Sequence, residues 1–397
     1  MEKFTTAVIG GGAAGLVCAA RLQGDGIVLF EKLDRVGKKL SATGNGQGNI
    51  SNAEVENATY FSVADGGTTL AKRIIGEYGR DSFVDYIHML GGLCICDERG
   101  RIYPASRQAS SITDLLRREV AAHGVDVRLG TEVRAIKKTE GGFLLTVSSS
   151  GEERRCFAEN VVLCAGGKAA KNFGTDGAGY GLAKSLGHTV TPVYPSLVQL
   201  KADTRWTKTL KGIRAQDCDV RVLVDGDEVL ALSGDVIFTE YGVSGDAIFR
   251  LSAYIASSLE KDVRLLLDFA PTVDEATLRD FLADKQARLG GEELLCGVVN
   301  NQIGRAILRR YGEEGGDVAA LVKRFDVRVT GSLGFDYAQV TKGGVPTVEV
   351  DENLQSKKVK GLYLAGEILD VDGQCGGFNL QWAYASACKV AAAIDKK

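Results

Sequence analysis

Residues 5–32 read TTAVIGGGAAGLVCAARLQGDGIVLFEK: an apolar strand, a glycine turn, a helix of small residues, a short loop, a second apolar strand and an acid. No other stretch narrows the possible folds so far. Gly10, Gly12 and Gly15 fill G-x-G-x-x-G, with Ala13 and Ala14 between the last two. In a βαβ unit the first glycine makes the turn, the second lets the backbone approach a pyrophosphate, and the third packs helix on strand. The helix continues through Leu16, Ala19, Ala20 and Leu22, and the second strand, Ile27–Phe30, closes on Glu31. A carboxylate in that place accepts hydrogen bonds from ribose hydroxyls and repels a 2′-phosphate. The stretch predicts a Rossmann-like α/β domain that binds a dinucleotide, and leaves NAD and FAD open.

Three later stretches choose FAD. KLDRVGKKLSATGNGQGNISN, residues 32–52, is too rich in glycine and asparagine for a crossover helix. Its backbone at Thr43, Gly44, Asn45, Gly46 and Asn49, with Lys32 and Lys39, suits a long, bent anionic ligand. Residues 125–167 read as a strand, a hairpin meander and a return strand, Asn160–Cys164, ending in Ala165-Gly166-Gly167. FAD enzymes built on this unit carry such an insertion, and a residue near Val133 meets the adenine edge. Near the C-terminus a strand, Gly361–Ala365, runs into Gly366-Glu367, an acid placed to hold ribityl hydroxyls. Asp372 follows, and then Gly376-Gly377 open a helix from about Asn379 and Leu380. The N–H groups of that helix start would face the pyrimidine edge of an isoalloxazine, where negative charge collects on reduction.

At 397 residues the chain is long enough for two or three domains. The pattern predicts an FAD-binding domain in two parts, 1–190 and 326–397. Between them come an inserted β-rich, barrel-like domain at 191–270 and a helical lid at 271–325, with Leu278, Phe281, Leu282 and Leu289 on one helix face. A net charge of −3 offers no basic surplus, so no nucleic acid is expected as partner. Nine scattered cysteines without C-x-x-C read as reduced thiols, no apolar run reaches the roughly 20 residues of a membrane span, and the expected location is cytoplasmic. The three histidines, His88, His123 and His188, read as surface or helix-capping residues, and no metal site is expected.

So few candidate acids and bases suit a chemistry carried by a flavin. Tyr103 in RIYPAS, Tyr241 in FTEYGVSG and Lys342 in VTKGGV are the candidates for proton transfer or substrate orientation.

VIGGGAAG, KKLSATGNGQGNISN, GRIYPASRQASSI, FTEYGVSG, TKGGV and GLYLAGEILDVDGQCGGFNLQWAYAS together resemble the BaiN/YhiN-like flavoproteins, NAD(P)/FAD-dependent oxidoreductases also described as aminoacetone oxidase-like. The resemblance covers nearly the whole chain. It implies a discontinuous FAD domain of GR2 type and hydride transfer between flavin N5 and a small or medium organic substrate, enone-like or an amine. NAD(P)H is the candidate co-substrate, although CAGGKAAKNFGTDGAG offers no second G-x-G-x-x-G. Many members carry Arg-Cys where this chain has Gln47-Gly48, so no role is carried over from that pair. The alternatives are a flavoprotein that modifies tRNA and a flavin-binding sensor without turnover. The oligomeric state stays open.

Overall fold

The computed structural model describes residues 1–289 and 293–396. Backbone packing divides the chain into two compact units, Met1–Tyr194 with Val340–Lys397, and Pro195–Gln339.

The first unit begins β1 (Glu2–Ile9), α1 (Ala13–Arg21), β2 (Ile27–Phe30) and α2 (Lys38–Ala42). Short strands β3 (Ser51–Asn52) and β4 (Tyr60–Phe61), helices α3 (Thr68–Glu77) and α4 (Arg80–Met89), strands β5 (Cys94–Cys96) and β6 (Arg101–Pro104), and α5 (Ala109–Ala122) come next. The meander is β7 (Asp126–Arg128), β8 (Thr131–Thr139), β9 (Gly142–Ser149) and β10 (Glu152–Leu163), followed by α6 (Ala178–Ser185), and β11 (Tyr194–Ser196) carries the chain over the boundary into the second unit. The main sheet has the order β7-β2-β1-β10-β9-β8. The return strand is longer than the sequence suggests. β10 pairs antiparallel with β9 over its first half and parallel with β1 from Cys156 to Leu163.

The second unit holds β12 (Leu200–Ala202), β13 (Arg214–Val224), β14 (Asp227–Phe238), β15 (Gly242–Ser244), α7 (Asp246–Ile255), β16 (Val263–Asp268), α8 (Glu275–Leu289), α9 (Asn301–Glu314), α10 (Val318–Lys323) and β17 (Phe325–Ser332). Six of its strands close into a barrel, β12-β15-β14-β13-β16-β17. Along β16 Val263, Leu265 and Leu267 are buried and alternate with more exposed neighbours, the two-residue period of a strand with one face inward.

Two expected boundaries move. β17 pairs with β16 and β12 and closes the barrel, so the return to the first unit comes at Val340 rather than 326. The helices at 275–323 share the barrel's hydrophobic core through Leu278, Leu282, Ile303, Ile307 and Val322, and form no separate domain. Phe281, expected beside Leu278 and Leu282, is exposed. It sits about 100° round the helix from Leu282, beyond the narrow stripe that touches the barrel. The side chain of Leu289 lies outside the described residues.

The chain re-enters the first unit with β18 (Val340–Lys342), β19 (Leu362–Leu364), β20 (Asp372–Gly373) and α11 (Phe378–Asp395). β19 joins the second half of β10 in parallel, and β20 pairs with β4. α1 is buried on nearly every face, with α11 packed along it, so small residues are needed throughout. Among the described residues no helix is long and apolar enough to cross a membrane.

Candidate functional site

The three glycines of the N-terminal turn serve different ends. A Cβ on Gly10 (φ +103°) would stand 2.5 Å from the Cys164 carbonyl oxygen, and one on Gly15 would overlap the Gly10 carbonyl oxygen. Both are demanded by the chain's own packing. A Cβ on Gly12 would meet nothing within 4 Å, so the chain's own packing does not ask for glycine there and room is left for a ligand to approach the backbone.

Glu31, at the end of β2, accepts the N–H of Gly11 and of Leu33, each at 2.8 Å. Each oxygen keeps a second acceptor site, as ribose hydroxyls require. Lys32 and Lys39, read as facing the anion, are held by carboxylates of the chain, Lys32 by Asp176 at 2.7 Å and Lys39 by Glu367 at 2.8 Å. Glu367 also accepts the Thr341 N–H at 2.9 Å. Val133 is a buried core residue of β8.

The loop from Thr43 to Asn49 turns through left-handed backbone at Gly44, Asn45, Gly46 and Gly48. It spends several N–H groups on itself: Gly46 and Gly48 donate to the Thr43 carbonyl, and Gln47 to that of Gly44. The Thr43 hydroxyl donates to Leu40. What the loop offers outward is therefore side chains as much as N–H groups. The Asn49 Oδ1 is buried and has no hydrogen-bond partner among the described residues. A buried acceptor of that kind fits a ligand that brings its own N–H or O–H.

Opposite that loop, Gly377 (φ +103°) opens α11, which begins one residue earlier than expected, at Phe378. The reason for the glycine also differs from the expected one. Its Cβ would overlap the Ser51 carbonyl oxygen and come within 2.9 Å of Asn49 Oδ1, so close packing on β3 already requires it. Asn379 is tied back to the turn before it, bonding Gly373 and Gln374, and Leu380 packs against the main core. Ser51 donates to Gln381 at 2.6 Å and Asn52 to the Gly376 carbonyl at 3.0 Å, which stitches the two ends of the chain together. Gly366 is held the same way, its N–H by Ser386 and its carbonyl by Trp382. An adenosine diphosphate with a bent tail fits this set: the open Gly12, the spare acceptors of Glu31 and the unanswered Asn49 belong to the successive turns that follow β1, β2 and α2.

Lys342 is buried beside the fully buried Asp372, its Nζ 3.7 Å from Oδ1 and 4.2 Å from the centre of the Phe61 ring. Burial lowers the lysine's pKa, and the nearby Asp372 and Asp370 oppose that shift. Asp372, read as a cofactor ligand, thus answers to an ammonium of the chain. Asp370 takes the hydroxyl of Ser62 and the N–H groups of Val63 and Ala64. Tyr103 is buried on β6 under the Arg107 guanidinium, 4.1 Å from its ring centre. Tyr241 sits between β14 and β15 of the second unit, its carbonyl bonded by Ala202, whereas Tyr103 and Lys342 belong to the first.

Sequence reasoning passed over several residues. The Thr341 hydroxyl accepts the N–H groups of Lys168 (2.7 Å) and Ala169 (2.9 Å), fixing the turn after Ala165-Gly166. Its neighbour Lys342 drew the attention because it carries a charge. His188, read as a surface residue, is buried between Glu349 (2.7 Å) and Ser356 (2.8 Å). Its partners lie more than 150 residues away, out of reach of any local pattern. Among the described residues no group of His, Cys, Asp and Glu could hold a metal ion.

The family described as HI0933-like protein Rossmann domain matches residues 4–393. A 3-dehydro-bile acid Δ4,6-reductase of Clostridium scindens is 35% identical over 96% of this chain and 96% of its own. The ribosomal RNA dihydrouridine synthase of Escherichia coli K12 is 27% identical over 98% of this chain and 97% of its own. Among solved structures, the 3-ketosteroid-Δ4-(5α)-dehydrogenase of Rhodococcus jostii RHA1 superimposes over all of this chain and 97% of its own, with a TM-score of 0.51 at 14% identity, a likeness of fold. A match from Phe4 to Ala393, together with a cradle that fits FAD, makes this chain a member of the HI0933-like Rossmann family of FAD-dependent oxidoreductases.

Proposed function

We propose that the protein reduces a carbon–carbon double bond conjugated to a ketone in an apolar, steroid-sized small molecule. FAD, when bound, supplies the hydride from N5 to the β-carbon of the enone, with NAD(P)H as the reductant that restores it. The observation that carries the reading is the near full-length likeness to a reductase of 3-oxo bile acids. Saturating such a bond also needs one proton at the α-carbon, and delivering it falls to the chain. Lys342 suits the role of proton donor, because burial eases loss of its proton while Asp372 keeps the ammonium in place. Tyr103, its ring covered by the Arg107 guanidinium, is given no part in that proton transfer.

A second reading, reduction of uracil in RNA, draws on the likeness to the dihydrouridine synthase, since forming dihydrouridine also saturates a double bond next to a carbonyl. The net charge of −3 weighs against a polyanionic substrate. The test offers reduced holoprotein, without oxygen, a 3-oxo-4-ene steroid acid or a uridine-rich transcript. Reoxidation of the flavin by the steroid, with two hydrogens gained in the product, is the expected result. Reoxidation by the RNA alone, or by neither, rejects the proposal.

A further inference from the structure

We propose that Arg107 is the anchor for a carboxylate at the far end of the substrate from its reducible double bond. The proposal rests on the functional reading above and adds the chemistry of the substrate's tail.

Arg107 lies in the turn between β6 and α5 and is exposed, and its backbone is left-handed at φ +52°. Long side chains seldom adopt that conformation unless the surroundings hold them there. Here they do. Its N–H donates to the Pro104 carbonyl at 2.8 Å, and its guanidinium lies flat on the buried Tyr103 ring. One nitrogen reaches the Gln47 side-chain oxygen at 3.4 Å. Two residues on, the Ala109 N–H donates to the Gly46 carbonyl at 2.8 Å, and Gly48 packs so closely on Ala109 that a Cβ would stand 2.8 Å from its Cα. The Arg107 turn is thereby fixed to the Thr43–Asn49 loop, which also carries the unanswered Asn49 acceptor.

Among the described residues no carboxylate lies within ion-pairing distance of Arg107, although most arginines of the chain have one. Arg80 has Asp81, Arg117 has Asp114 and Arg128 has Glu2. A guanidinium has five N–H donors in a rigid plane, and only one of them is engaged. A planar cation already immobilised by stacking loses little freedom on taking up a two-oxygen anion, which is the condition for bidentate recognition. Lysine at the same place would be a mobile point charge without the plane.

The test measures equilibrium binding, read from the perturbed absorption of oxidised flavin in the holoprotein. The ligands are a 3-oxo-4-ene steroid carboxylic acid and its methyl ester. Wild type should bind the acid roughly 10- to 100-fold more tightly than the ester, the range of a hydrogen bond to a charged group. Arg107→Gln should bring the acid down to the ester's affinity and leave the ester where it was, while Arg107→Lys recovers part of the preference. FAD content and melting temperature of each variant confirm that the fold is kept. Equal binding of acid and ester by wild type, or an equal loss of both in Arg107→Gln, overturns the anchor. If the ester is nonetheless reduced, the enone-reductase reading survives that result. Binding of neither steroid, or competition by oligouridine alone, overturns both.

Discussion

Gly12→Ala separates what the protein needs for itself from what it needs for its ligand. At Gly12 the backbone has φ −78° and ψ −166°, a conformation open to any residue, and a Cβ meets nothing within 4 Å. Alanine caps a helix poorly, but it also loses less freedom on folding than glycine. These small terms oppose each other, leaving folding stability within about 0.5 kcal/mol of wild type. Binding is another matter. A methyl group placed in the path of a diphosphate must move the ligand or the turn, which costs about 1–3 kcal/mol. That corresponds to about 5- to 150-fold in Kd. Stripped of flavin, the variant should therefore melt like wild type by circular dichroism, yet titrate FAD far more weakly when binding is followed by quenching of flavin fluorescence. Gly15→Ala is the contrasting control: its Cβ would overlap the Gly10 carbonyl oxygen, so it should lose stability with or without FAD. An alanine variant that takes up FAD as wild type does would show that the open space at Gly12 is not the diphosphate's.

Gly377→Ala should cost about 2–4 kcal/mol of stability, because it combines a left-handed backbone with a Cβ forced into Ser51; urea unfolding of the flavin-free protein measures it. Asp372→Asn leaves the Lys342 ammonium buried without its counter-charge and should cost about 3–5 kcal/mol, whereas Lys342→Met combined with Asp372→Leu should cost much less than the two single changes added; additive costs would mean the pair is not coupled. Burial raises the pKa of Glu349, but bonds from Lys358, Thr189 and His188 outweigh it and hold the carboxyl at about 2, against an ordinary 4.5. Its folded pKa is depressed, so its contribution is complete above pH 4.5 and fades as pH falls towards 2; Glu349→Gln should flatten the melting-temperature profile across that window and leave its shape at neutral pH unchanged.

What could be read from the sequence was mostly local. The run from Thr5 to Glu31 specifies strand, turn, helix and strand within 27 residues, and the structure has each of them in place. Its glycines were legible from their spacing alone, and one reason for them lies inside the run, where a Cβ on Gly15 would overlap the Gly10 carbonyl oxygen. Barrel closure was not, since β17 finds β12 across more than 120 residues and its own pattern of alternating valines suits any sheet. At Gly377 the sequence pointed outward to a ligand, while Ser51, over 300 positions away, already excludes a side chain. Lys342 was recognisable as a residue of interest, but its partnership with Asp372 and Phe61 depends on β18, β20 and β4 meeting in space. Arg107 stood inside GRIYPASRQASSI without being singled out, because what distinguishes it is the carboxylate it lacks.

β10 has a bearing on the order in which the chain can fold. One edge of its second half belongs to β1, which precedes it by about 150 residues, and the other to β19, which follows it by about 200. The parallel core of the first unit therefore stays unfinished until β19 has been made, with Val161, Val162 and Leu163 lacking a neighbour on one side. The barrel unit, Pro195–Gln339, is contiguous and complete by then. A ribosome making this protein thus carries a finished barrel tethered to a half-built sheet, whose open edge is the kind of surface that chaperones cover and that strays into aggregation.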